Sequence, residues 1–261
     1  MYFKRSYIKK TRGFSIAGIV VGILVVALFG IATYAVIDGN NKATNYNDYD
    51  FTSIIAPDSH NGNIGDHVKG DPNAPVIIVE YADFQCEYCA LMNPRVSKLV
   101  KEADGKLAVV YRNYLLSYHQ NGTAAASAAE AAGLQGYWEE YANALFTNQD
   151  EWSGASASER TELFNKYFNE VTDKKGDLEK FNKDIASTEV SQKISFDMGI
   201  GKRIDLSGTP SFYIDGELIE FGNSQGGEIT VNGQHFSWDH NLTNEEFDKL
   251  ILNIVDAKLA E

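Results

Sequence analysis

The chain has 261 residues, 44% hydrophobic and 23% charged, a composition that excludes a disordered chain and suits one or two ordinary domains. Its net charge of −13 is uneven: Lys4, Arg5, Lys9, Lys10 and Arg12 stand in residues 1–12 with no acid, and all 36 acids lie from Asp38 onward. An acidic body repels phosphate, which argues against nucleic acid as a partner, and it favours solubility.

From Phe14 to Ile37 there is no charged residue. As a helix this run is roughly 36 Å long at about 1.5 Å per residue, against a hydrocarbon core of about 30 Å. It is read as a transmembrane anchor over 14–37, spanning with some tilt. The basic segment 1–13 should stay in the cytoplasm and the bulk of the chain outside it. A cleaved signal peptide is the competing reading, with Ala32 and Ala35 offering a cleavage site, but its apolar region usually spans about 7–15 residues. Under both readings the body meets an oxidising compartment. Residues 38–65, rich in Asn, Asp, Gly and Ser with scattered Tyr, read as a flexible, solvated tether.

In the body, 66–261, the run VIIVEY from Val76 to Tyr81 reads as a buried strand interrupted by one acid, Glu80. A helical stretch follows it and ends at Gly105; Pro94 should kink or restart that helix. Leu107 to Leu116 reads as a second strand. Strand–helix–strand at this spacing is a βαβ unit, so the two strands should be parallel. Residues from about 120 to 201 are helical in character, beginning with an Ala-rich stretch, and read as an inserted helical subdomain. Strand character returns at GTPSFYIDGELIEF and ITVNGQHFSW, with Asp215-Gly216 and Asn232-Gly233 as hairpin turns. Thr243 and Glu246 form a capping box that opens a terminal helix.

The chain has two cysteines, Cys86 and Cys89. They are too few for a disulfide scaffold or a tetrahedral zinc site, and they close too short a loop to stabilise a fold. Chemistry explains them better. The motif sits where the first strand gives way to a helix. Residues three apart share a helix face, so the sulfurs can meet. Free N–H groups at the helix start favour an anion, so Cys86 should ionise below about 8.5 and be the exposed nucleophile. Cys89, a turn further in, should be the buried resolving thiol. Glu80 in the strand is costly unless it has a partner or a raised pKa, which suits a proton carrier serving Cys89; a strand-end Glu facing solvent is the bland alternative. Thr209-Pro210 opens a strand. It is either a simple turn or a cis peptide that offers the Thr209 backbone to an extended substrate.

The stretches DHVKGDPNAPVIIVEYADFQCEYCALMNP, YRNYLLSYHQNGTAAASAAEAA, LQGYWEEYANALF and GTPSFYIDG occur in the order of the DsbA-like branch of the thioredoxin superfamily, which the chain resembles from about Asp66 to Glu261. The resemblance implies an α/β thioredoxin fold with an inserted helical subdomain. It also implies a thiol–disulfide oxidoreductase with Cys86 as nucleophile, Cys89 as its partner, Glu80 as the buried acid and Pro210 as the cis-proline. Exported proteins with free cysteines would be the substrates and a quinone-linked membrane thiol oxidase the redox partner. No cofactor or metal is expected, and a monomer is. Many members carry Pro or Gly after the first cysteine, where this chain has Glu87. A carboxylate about 7 Å from the thiolate should cost on the order of one pKa unit and make the disulfide less oxidising. Tyr88 reads as an exposed aromatic beside the site. His119 reads as structural or exposed, and Tyr137 and Trp138 as core. A reductase or isomerase remains the rival within the class, and a non-catalytic tethered binding or chaperone module the rival outside it.

Overall fold

The computed structural model describes residues 44–214, 216–220, 226–238 and 243–260. The expected basic segment, the anchor over 14–37 and the start of the tether lie outside the described residues. Among the described residues, no helix is long and apolar enough to cross a membrane.

Two runs rich in β-branched residues make the centre of the fold. Strand β2 (Val76–Ala82) and strand β3 (Leu107–Asn113) pair in parallel from Val76 against Leu107 to Ala82 against Asn113. Nearly every residue of both is buried, which is why they read as continuous rather than alternating apolar runs. Helix α1 (Glu87–Glu102) joins them, as the βαβ reading requires. Pro94 lies inside α1 without ending or restarting it. Val96 and Leu99, buried on the sheet beyond the proline, hold the helix across the lost backbone bond. A short strand that the sequence reading missed, β1 (His67–Lys69), runs antiparallel to β3 at one edge.

Between β3 and the returning strands lies the helical insertion: α2 (Gly122–Gly133), α3 (Trp138–Thr147), α4 (Gln149–Trp152), α5 (Ala157–Val171), α6 (Leu178–Ile185) and α7 (Thr188–Arg203). The Ala-rich stretch is two helices rather than one, divided near Gly136, whose φ of 83° ends α2 by a left-handed step. Ala125, Ala126, Ala128, Ala129, Ala131 and Ala132 are fully buried, so α2 can be approached closely from several sides. Trp152, Phe164, Phe168 and Phe181 fill the surrounding core.

Strands β4 (Ser211–Ile214) and β5 (Glu217–Glu220) complete a five-stranded sheet of order β1-β3-β2-β4-β5, with β4 antiparallel to β2. A separate hairpin of β6 (Gly227–Val231) and β7 (Gln234–Trp238) turns at Asn232 and Gly233, both at positive φ, as a type I′ turn needs. Terminal helix α8 (Asn244–Leu259) carries the Thr243–Glu246 capping box. One face of the sheet packs Val76, Ile78 and Val109 under α1 and α8; the other packs Val79, Tyr81 and Val110 against α7.

The solvated-tether reading of 38–65 does not hold from Tyr46 onward, where the chain joins the compact unit that runs to Glu261. Tyr49 sets its ring edge on Phe196 at 4.7 Å, and Ile55, Asn61 and Ile64 are buried. Arg112 donates to the carbonyls of Phe51 at 2.8 Å and Ser53 at 2.7 Å. The few Tyr and Ile side chains fill the far face of the sheet, while the Asp and Asn side chains close turns, as Asp58 does with His60 and Asn61. Arg112 belongs to a buried ion network. Asp66 bridges Arg112 and Lys193, and Lys193 also holds Asp197, all four side chains being fully enclosed.

Candidate active site

The β2–α1 loop is shaped before the first cysteine arrives. Asp83, fully buried, accepts from the Gln85 N–H at 2.8 Å and the Leu116 N–H at 2.9 Å, and pairs with His119 at 2.8 Å. His119 is thus a support of this loop. Gln149 reaches in from α4 and donates to the carbonyls of Phe84 at 2.7 Å and Cys86 at 3.0 Å. Gln85 in turn donates to the Ser153 carbonyl at 3.1 Å. The insertion therefore grips the loop from outside. Sequence reasoning missed Gln149, because no local pattern marks a contact across 63 positions.

Cys86 is the N-cap of α1 and Cys89 sits in its first turn; both are free thiols. The Thr209–Pro210 peptide is cis, and the Cys86 thiol donates to the Thr209 carbonyl at 3.3 Å. Cys86 is more enclosed than expected: 5% of its surface is exposed, against none for Cys89. The Thr209 loop lies against its sulfur, while Gln149 holds its backbone.

The two thiols are driven apart in acidity. The Cys86 pKa is lowered to about 6, first by the hydrogen bond from the Cys89 thiol, against the opposing cost of burial, then by Thr209 and the backbone N–H groups of Cys89 and Tyr88. Those N–H groups are the free donors of a helix start. The Thr209 hydroxyl is itself buried without a partner, so a thiolate beside it would satisfy it. Cys89 is pushed well above the usual thiol range, first by burial and then by the neighbouring Cys86 sulfur. Cys86 is thus an anion near neutral pH while Cys89 keeps its proton.

Glu80 lies in β2 and is 6% exposed. Burial lifts its carboxyl to about 7; Lys69 opposes the shift and Cys86 adds to it. Lys69, on β1, has its own pKa lowered by burial, with Glu80 and Glu139 pulling the other way. Its Nζ donates to Ser97 Oγ at 2.9 Å and Asn93 Oδ1 at 3.1 Å on α1. Sequence reasoning missed Lys69 because a three-residue strand leaves no period to read.

The structure brings Cys86, Cys89, Glu80, Thr209 and Pro210 together. Glu87 and Tyr88 differ from these. Glu87 is exposed and lines a cleft between α1 and α3. Tyr88 is 68% exposed. Trp138 is core and stacks on His67 at 4.3 Å.

This sheet, with its helical insertion and a CxxC at the first helix, defines a thioredoxin-like α/β fold of the DsbA type. The sequence matches the thioredoxin family over residues 62–252, and the chain belongs to that family. Among solved structures it resembles α-DsbA1 of Wolbachia pipientis at 24% identity and a TM-score of 0.55, over 75% of this chain and 93% of that one. It also resembles BdbD of Bacillus subtilis at 16% identity and a TM-score of 0.56, over 80% and 98%. A curated relative, Na(+)/H(+) antiporter NhaA 1 of Mycolicibacterium gilvum, is 32% identical over 157 residues, 58% of this chain. The chain spans only 24% of that protein's length, so antiport is not carried over.

Proposed function

We propose that this chain is a membrane-anchored, extracytoplasmic thiol–disulfide oxidoreductase that forms disulfides in exported proteins. The observation that carries the reading is the divided acidity of the pair, Cys86 lowered to about 6 and Cys89 raised. A stabilised Cys86 thiolate favours the reduced enzyme, so the disulfide form is a good oxidant.

In the oxidising turnover a client thiolate attacks Cys86 of the Cys86–Cys89 disulfide. The client–Cys86 bond forms, the bond to Cys89 breaks, and the departing sulfur takes the Glu80 proton. A second client thiolate then attacks the client sulfur of the mixed disulfide. The client leaves oxidised and Cys86 leaves as a thiolate. An extended client pairs with the Thr209 backbone beside the cis-proline. Reoxidation falls to a quinone-linked thiol oxidase in the same membrane, reached because segment 14–37 anchors the chain, and the enzyme works as a monomer.

The reduction potential of the isolated body tests the direction. A value near about −120 mV supports the oxidase, and one near about −270 mV supports a reductase instead. Loss of client oxidation in Cys86→Ala would separate turnover from passive binding; unchanged activity would refute the enzymatic reading.

A further inference from the structure

Beside the first cysteine, α1 turns one face off the sheet. Glu87, Ala90, Pro94 and Ser97 stand on that face at helical spacing and wall an open cleft of about 740 Å³ between α1 and the α3–α4 corner. The cleft adjoins the reactive sulfur's own backbone. Glu87 follows Cys86 in the chain, and Gln149 of the opposite wall donates to the Cys86 carbonyl at 3.0 Å. Its chemistry is one-sided. Glu87 and Asp150 are exposed carboxylates, and no lysine, arginine or histidine among the described residues lines it. Asp150 also lines a second cleft of about 550 Å³ with Glu151, Glu159 and Glu162, against one base, Lys166. Pro94 brings no N–H, so the Ala90 carbonyl on the same wall lacks its helical donor and is a further acceptor. Leu91, 66% exposed, adds a bare apolar rim. Apolar surface leading to carboxylates and a carbonyl suits one kind of side chain, a methylene stem that ends in a cation.

We propose that this cleft selects clients by charge, taking a lysine or arginine that flanks the reacting client cysteine. The inference rests on the thiol–disulfide exchange proposed above and names the class of client that the exchange prefers. The basic side chain lays its stem along Leu91 and brings its head to Glu87 and Asp150. These contacts lie outside the bonds that form and break, so they hold the client in place without entering the exchange itself. Glu87 and Asp150 are then specificity residues, one supplied by the CxxC motif and one by the helical insertion.

The test gives the oxidised full chain two-cysteine peptides that differ only in carrying Arg, Gln or Glu a few residues from the first cysteine, on either side, and compares kcat/KM. The Arg peptide should exceed the Gln peptide about fivefold, the scale of exposed charge pairs, and Glu should be poorest. The difference should lie in KM and fade at about 1 M salt, where charges are screened within about 3 Å. Glu87→Gln/Asp150→Asn should level the three peptides, and Glu87→Lys/Asp150→Lys should reverse their order. Each ratio is taken within one protein, so any change in Cys86 reactivity cancels. Glu179→Gln/Glu217→Gln removes the same charge from α6 and β5 and should keep the preference. Equal kcat/KM for the three peptides in wild type, or a preference that survives Glu87→Gln/Asp150→Asn, would overturn the proposal. Oxidation of none of them would instead overturn the proposed function. The cleft is then read from Cys89→Ala, whose Cys86 thiolate bonds the peptide sulfur of a peptide–thionitrobenzoate disulfide and releases thionitrobenzoate; the same order of rates supports the cleft, and equal rates overturn it.

Discussion

Cys89→Ala removes the largest single support of the Cys86 thiolate, the hydrogen bond from the neighbouring thiol. A hydrogen bond to a charged group contributes about 1.5–3 kcal/mol, and one pKa unit corresponds to about 1.4 kcal/mol, so the loss is worth about one to two units. The Cys86 pKa should climb from about 6 to between about 7 and 8. At pH 7 the thiolate share would fall from about nine-tenths to between about one-half and one-tenth. The assay is the rate of alkylation by iodoacetamide against pH, with a Cys86→Ala control that should show no titration near neutrality because Cys89 ionises far higher. Cys89→Ser, which keeps a hydroxyl donor in the same place, should titrate close to wild type. A Cys89→Ala protein that still titrates near 6 would refute the reasoning and leave the helix N–H groups and Thr209 as sufficient.

Two further outcomes follow from the buried charges. Glu80 has a folded pKa of about 7 against an ordinary 4.5, so the native state holds a proton that the unfolded chain releases. The stability tied to that proton is complete below 4.5 and is lost as pH rises through 7, by at most about 3 kcal/mol. Glu80→Gln should therefore gain stability over wild type between pH 4 and pH 8.5 in urea unfolding of the dithiol form, and an equal difference at both pH values would contradict this. Lys193→Met takes the paired ammonium from Asp197 and leaves Asp66 with Arg112, all enclosed, and should cost about 3–5 kcal/mol of unfolding free energy in urea, part of it recovered by adding Asp197→Asn. A loss under about 1 kcal/mol would show that the carboxylates neutralise themselves.

What could be read from the sequence was local. The parallel βαβ unit, the CxxC at a helix start, both hairpins and the last helix's capping box each declare themselves within a few residues. The local residues left Thr209–Pro210 between a simple turn and a cis peptide; the family resemblance pointed to the cis form, which the structure has. The misses all involve distance in the chain. Lys69 and Glu80 act on each other from separate strands, and Gln149 meets Cys86 from another lobe. The segment after Tyr46 looked solvated because its composition is polar, and only the fold reveals that its few apolar side chains have a groove to fill. Of the two readings of Pro94, a restart is excluded by the continuous helix from Glu87 to Glu102.

Gln149 makes the insertion inseparable from the CxxC loop. Its amide spans the two lobes to cap carbonyls on either side of Gln85, so the backbone that presents the reactive sulfur is finished by residues far downstream. A shortened protein reduced to the sheet with α1 and α8 would leave both carbonyls without that donor and the sulfur's mount loose. Any attempt to engineer a minimal version of this protein must therefore graft a replacement amide at that point or keep the whole helical lobe.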